Sequence, residues 1–151
     1  MFAATQAVVS DEVTVSSAWQ SILAGLPILL VHLAVTTGLL VGGVALYVGL
    51  TPYRELEFIR EGNIAAAVVL SGQTLAIAVP LAAMMANSVS VSDIVLWGLV
   101  TIVLQFIAIA AARLTVHHLP ALIQRGEVAP ALVLACYQIT AGILNAAAVS
   151  G

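Results

Sequence analysis

Apolar residues run through this chain in four long blocks rather than in stripes or alternation, and short polar segments break the blocks apart. The blocks cover roughly residues 26–50, 63–86, 93–116 and 128–149. Each reaches the ~20 apolar residues that an α-helix needs to cross a bilayer. Between them lie a polar turn from Asn87 to Ser92 and two longer connectors, 51–62 and 117–127. The pattern predicts an all-α membrane protein with four transmembrane helices. Composition agrees: 62% hydrophobic residues, 7% charged residues and a mean hydropathy of +1.16 fit a chain solvated by lipid. The spans use most of the 151 residues, and no loop is long enough to fold as a catalytic domain of its own.

Charge gives the orientation. The only cationic side chains are Arg54, Arg60, Arg113 and Arg125, and all four lie at or in the two longer connectors. Positive charge is retained on the cytoplasmic side during insertion, which predicts both termini outside. Residues 1–25 are then an extracytoplasmic N-terminal tail carrying Asp11 and Glu12, with no basic n-region of an export signal. Trp19 and Trp97 fall near the outer interface, and Tyr47 and Tyr53 near the inner one. Glu61, Asp93 and Glu127 precede helix starts and Arg113 ends a helix, each opposing the local macrodipole. A net charge of -3 with no lysine excludes a nucleic-acid footprint. The single cysteine, Cys136, excludes an intrachain disulfide.

An internal repeat appears at an offset of 64 residues, in pairs such as Thr37/Thr101, Thr51/Thr115, Ile59/Ile123, Gly62/Gly126, Ala65/Ala129 and Val69/Val133. It divides the chain into two membrane hairpins, 26–87 and 88–151. Each holds an even number of spans, so the copies run parallel. The connectors read as short interfacial helices ended by Gly62 and Gly126, with Tyr53, Leu56 and Ile59 on one face and Arg54, Glu55 and Glu57 off it.

The run TPYRELEFIREGNIAAAVVLSGQTLAIAVPLA at 51–82, with RGEVAPALVL at 125–134 and GILNAA at 142–147, resembles the duplicated YjfL-type family of small inner-membrane proteins, domain of unknown function 350. The likeness extends from about residue 28 over nearly the whole chain. That family typically has Gly-Phe before its Ala-x-Pro-Leu stretch, where this chain has Leu75 to Leu81, so no role attached to those two residues transfers. The resemblance implies four helices, a bacterial inner-membrane location and an association with envelope-stress gene sets.

Polar residues within the spans need a reason to be there. Gln73, Gln105 and Gln138 lie close to the centres of their spans, with Thr36, Thr37 and Gly38 at the matching depth of the first and Thr74, Tyr137 and Thr140 adding hydroxyls. A buried amide without a partner costs about 2–7 kcal/mol. This midplane layer is therefore either interhelical hydrogen bonding, worth about 0.6 kcal/mol per contact, or the lining of a path or small-ligand site. The absence of charge at that depth argues against a carboxylate proton relay. Pro80 withholds a donor from the carbonyl of Ala76, which predicts a kink. Gly38 and Gly42, extended by Ala45 and Gly49, form a helix-packing face that points to a homo-oligomer, and Asn145 is placed to bond a neighbouring helix.

Arg54, Arg60, Glu61, Arg113, Arg125 and Glu127 are the candidates for contact with a protein partner or lipid headgroups, against the plainer reading of solvated, topology-setting turns. His32 lies toward one side of the bilayer and His117 and His118 toward the other, so neither a metal site nor a cofactor is expected. No nucleophile, base or phosphate loop shares one depth, so no enzyme is expected. The expectation is a non-catalytic inner-membrane protein, an oligomeric structural or accessory subunit of the cell envelope or its stress response. The alternative is a small passive channel or transporter lined by the Gln/Thr layer.

Overall fold

The computed structural model describes the backbone of residues 2–51, 54–87 and 90–151, and the side chains in those ranges for Ser17 and from Trp19 onward. Among these residues the chain is all helical: α1 Phe2–Leu50, α2 Glu55–Arg60, α3 Ile64–Asn87, α4 Val91–Thr115, α5 Leu119–Gln124 and α6 Val128–Ser150. Four segments are long and apolar enough to span a bilayer: Trp19–Leu50, Ile64–Asn87, Val91–Thr115 and Val128–Ser150. Three match the expected spans to within two residues. The first is longer, because no glycine or proline precedes Gly25 and nothing in the sequence stops the helix there. The expected tail is thus helical from Phe2, and Tyr53 lies outside the described residues.

The chain groups into two units, Met1–Ala34 and Val35–Gly151. The first is a stretch of α1. Packing in the second does not follow the hairpin boundary at residue 87, because α3 lies chiefly along α6, one from each expected hairpin. Both helices bury residues at alternating steps of four and three: Val69, Gln73, Ala76 and Pro80 on α3, and Ala131, Ala135, Gln138, Gly142 and Asn145 on α6. That spacing is the seam of two helices crossing at a shallow angle. The contact reaches the backbone. A Cβ on Gly72 would stand 2.7 Å from the Cβ of Ala135, and one on Gly142 would stand 2.9 Å from the Cα of Ala76. Lipid supplies no hydrophobic drive between helices, so this close approach and its dispersion contacts hold the pair.

Two apolar clusters complete the second unit. Ile77, Leu81 and Met84 of α3 are covered by Leu39, Leu40 and Val44 of α1. Toward the connectors, Tyr47, Val69, Ile109, Leu119, Ile123 and Leu134 close a larger one. A Cβ on Gly43 would stand 3.2 Å from the side chains of both Ile102 and Ile77, so the glycine leaves room for them. Gly38 and Gly42 have open space where a side chain would go, so among the described residues the GxxxG pair packs against nothing. The seam uses Gly72 and Gly142 instead.

The two connectors are built alike. Gly62 has a φ of 89° and Gly126 of 79°, a conformation that glycine adopts without strain. Each ends its short helix in a Schellman motif: Asn63 N–H donates to Phe58 O and Gly62 N–H to Ile59 O, while Glu127 N–H donates to Leu122 O and Gly126 N–H to Ile123 O. Every residue in the second set lies 64 positions after its counterpart.

Side-chain faces differ from expectation at three places. Leu56 is exposed, Glu55 is fully buried, and Tyr47 is buried rather than lying in a lipid interface. α2 has only six residues, fewer than two turns, so apolar spacing does not fix which of its faces turns inward.

Gly142→Val and Gly72→Val are each expected to destabilise the chain by about 1–3 kcal/mol, the usual cost of overpacking. Gly38→Ala and Gly42→Ala should stay within about 0.5 kcal/mol of the unmodified chain, as surface changes do. Reversible unfolding in mixed micelles at low protein concentration separates the two pairs.

Candidate functional site

The three central glutamines meet in the seam between α3, α4 and α6, and all are buried to within 1%. Gln138 Nε2 donates to Gln73 Oε1 at 2.7 Å across the close contact of α3 with α6. Gln105 Nε2, from α4, donates to the carbonyl of Ala76 at 3.1 Å. That carbonyl is the one from which Pro80 withholds a backbone donor. The glutamine therefore supplies the hydrogen bond that the proline removes, and Gly142 leaves α6 room to pass beside it. Proline and amide are one feature in two helices. Further along the bundle, Asn145 Nδ2 donates to Thr101 Oγ1 at 2.7 Å, and that hydroxyl donates to Trp97 O at 3.0 Å.

Not every candidate at this depth belongs to the layer. Thr37 is exposed, Thr74 donates to Leu70 O of its own helix at 2.8 Å, and Tyr137 is 38% exposed with its hydroxyl 3.1 Å from Thr115 Oγ1. Depth along the membrane normal was readable from the sequence, but direction was not. Thr74 and Tyr137 each neighbour a buried glutamine, and one residue along a helix is a turn of about 100°. Two acceptors in the layer, Gln105 Oε1 and Gln138 Oε1, receive no hydrogen bond among the described residues. Thr36 Oγ1 is in the same position.

A second polar site lies at the connector end. The Tyr47 hydroxyl donates to Glu55 Oε1 at 2.6 Å, tying the end of α1 to the start of α2. Asn63 accepts from Ala66 N–H at 3.0 Å, capping α3, while its Nδ2 donates to Ile123 O at 2.9 Å and Gln124 O at 3.3 Å. One side chain thus starts α3 and holds the end of α5 against it. Tyr47 also lines a cleft of about 320 Å³ with Leu50, Thr51, Phe106, Ile109 and Arg113.

The charged candidates stay outside. Arg54, Arg60, Glu61, Arg113, Arg125 and Glu127 are exposed. Arg54 pairs with Glu57 at 2.7 Å, an exposed i,i+3 pair of the kind that contributes about 0–1 kcal/mol. Glu127 sits at the N-cap of α6 without a side-chain cap bond. His117 and His118 are exposed and His32 is half-buried; among the described residues no three His, Cys, Asp or Glu side chains are placed to share a metal ion. The sequence reading missed the burial of Glu55 and the double role of Asn63. The 64-residue offset held a signal for the first, since it sets Glu55 opposite Leu119.

Gln105→Leu should destabilise the chain by about 1–3 kcal/mol, the cost of a buried carbonyl left without its donor. In a Pro80→Ala background the backbone N–H returns, and the same change should cost at least about 1 kcal/mol less. A double-mutant cycle on reversible unfolding measures that coupling.

A family model described as Domain of Unknown Function (DUF350) matches residues 21–149. The UPF0719 inner membrane protein YjfL of Escherichia coli (strain K12) is 31% identical over 102 residues, covering 68% of this chain and 77% of that protein. The protein of the same name from Escherichia coli O157:H7 matches to the same extent. No solved structure matches. With four membrane-length helices in one continuous match, the chain is an integral membrane protein and belongs to the DUF350 family.

Proposed function

We propose that the chain is a non-catalytic subunit of the bacterial inner membrane that assembles with copies of itself and presents its two connectors to a protein partner of the cell envelope. One observation carries the assembly. Gly38, Gly42, Ala45 and Gly49 follow at steps of four, three and four along α1, and all are exposed. Where α3 and α6 use small residues, at Gly72 and Gly142, a helix already fills the space; at Gly38, Gly42 and Gly49 no described residue does. Small faces in lipid associate by close backbone approach. The inner-membrane location is the one named for the E. coli relative.

The duplicated, parallel hairpin is supported by the matched hydrogen bonds of Gly62 and Gly126, 64 residues apart. Both connectors then lie on one side of the bilayer, with Arg54, Arg60 and Arg125 exposed there. The positive-inside rule makes that side cytoplasmic and leaves the termini outside.

The alternative, a passive path along the amide layer, retains one observation in its favour, the acceptors Gln105 Oε1 and Gln138 Oε1 that no described residue satisfies. Against it stands the burial of all three glutamines beside the Gly72–Ala135 contact.

Native mass spectrometry of the gently extracted protein tests the assembly. An oligomer is expected for the unmodified chain, and Gly38→Leu with Gly42→Leu should shift it toward monomer while the fold persists. A monomer from the outset would contradict the proposal. Flux into vesicles that falls on Gln105→Leu would favour the path instead.

A further inference from the structure

Gly72 of α3 meets Ala135 of α6, Gln73 meets Gln138 and Ala76 meets Gly142. From α4, Gln105 bonds the Ala76 carbonyl, and Ile102 shares with Ile77 the space that Gly43 leaves. Were the two hairpins copies related by a half-turn, each such contact would recur within the chain with the roles exchanged. At the offset of 64, Gly72 and Ala135 exchange into Cys136 and Ser71, and both of these are exposed. The contact is made once, so the hairpins meet head to tail and one surface of each kind is left over. The first is a groove of about 460 Å³ between α4 and α6, lined by Ala108, Cys136, Tyr137, Thr140, Ala141 and Leu144. Their counterparts 64 positions earlier are Val44, Gly72, Gln73, Ala76, Ile77 and Pro80. The last five are buried, and Val44 packs against Ile77. The groove therefore repeats, on the second hairpin, the surface that α4 and α6 cover on the first. The other left-over surface lies on α1 and α3. Gly38, Val41, Ser71, Thr74 and Ala78 precede Ile102, Gln105, Ala135, Gln138 and Gly142 by 64, and none of them is buried.

We propose that the α4–α6 groove receives the first hairpin of a second copy of this chain, whose α1 and α3 take there the places that α4 and α6 take on the first hairpin. Ser71 of the second copy then meets Cys136, its Val41 lies against Thr140, and its Gly38 lies against Ala141. Even the bonded amide pair has a polar counterpart, in Tyr137 and Thr74. The groove carries no charge, and the small residues on the incoming α1 permit the close approach that holds helices together in lipid. Cys136 and Ala78 stand where the seam within the chain has Gly72 and Gly142, so the contact between copies is the looser of the two. A head-to-tail surface repeats from copy to copy until a ring closes. This inference rests on the duplication and assembly proposed above and gives the open face at Gly38 and Gly42 the surface that it meets.

Disulfide trapping in native membranes tests it, because Cys136 is the only cysteine of the chain. One form carries Ser71→Cys with Cys136→Ser, the other is the unmodified chain, and the two are produced together with different tags. A Cβ on Gly72 would stand 2.7 Å from that of Ala135, and a side chain at Cys136 opens the equivalent spacing toward the ~3.8 Å of a disulfide. Oxidation with copper phenanthroline should join the two forms into a product of twice the chain mass that bears both tags. Either form produced alone should give no such product. Ala141→Trp in the form that keeps Cys136 fills the groove from a half-exposed position and should abolish the joined product. An oligomer in native mass spectrometry with no joined product from the mixed forms overturns this surface and leaves assembly standing, and so does a product that Ala141→Trp does not reduce. In the first case, phospholipid that co-purifies with the oligomer and is lost on Ala141→Trp assigns the groove to an acyl chain instead. A monomer from the outset overturns the assembly reading and this inference with it.

Discussion

At Gly72 and Gly142 the backbones of α3 and α6 approach closer than any side chain would permit, and the polar chemistry of the bundle is arranged around that contact. Two helices this close leave no layer of water between them. An amide in such a seam must find its partner in protein. Gln73 and Gln138 find each other across it, and Gln105 finds the carbonyl that Pro80 has released. A glycine, a proline and an amide from three different helices thus satisfy a single constraint. α4 is held to the pair through Gln105 and Thr101, two polar anchors along one helix.

The connector end follows a different logic, because there the chain leaves lipid and can use charge. Schellman turns at Gly62 and Gly126 reverse the chain in the fewest residues, and Asn63 joins the start of α3 to the end of α5. The exposed arginines contribute little to stability at such positions. Their value lies in orientation during insertion and in what approaches the connectors afterwards. Glu55 stands apart from them as a carboxyl buried where the matching connector holds a leucine.

Much of this was legible in the sequence because lipid imposes length. Three of the four spans, both connector helices and the glutamines at common depth follow from hydropathy and spacing, and Thr-Pro-Tyr-x-Glu-Leu carried the family. Direction around a helix axis was not legible. Thr74 and Tyr137 share a depth with buried amides yet turn away from them, and Gly38 with Gly42 form the better motif on paper while Gly72 and Gly142, which belong to no motif, make the contact. A long apolar helix has no polar face to fix its rotation, so its partner decides. The pairing of α3 with α6 across the two hairpins is likewise a tertiary choice between similar apolar surfaces.

Magic-angle-spinning NMR of the protein in bilayers, with glutamine side chains labelled in carbon and nitrogen, tests the dry α3–α6 seam most directly. A dry seam gives a through-space contact between the Gln73 side-chain carbonyl and Gln138 Nε2, with no exchange peak to water at either group. Water cross-peaks at both amides, with no contact between them, would contradict it and make the seam a hydrated path.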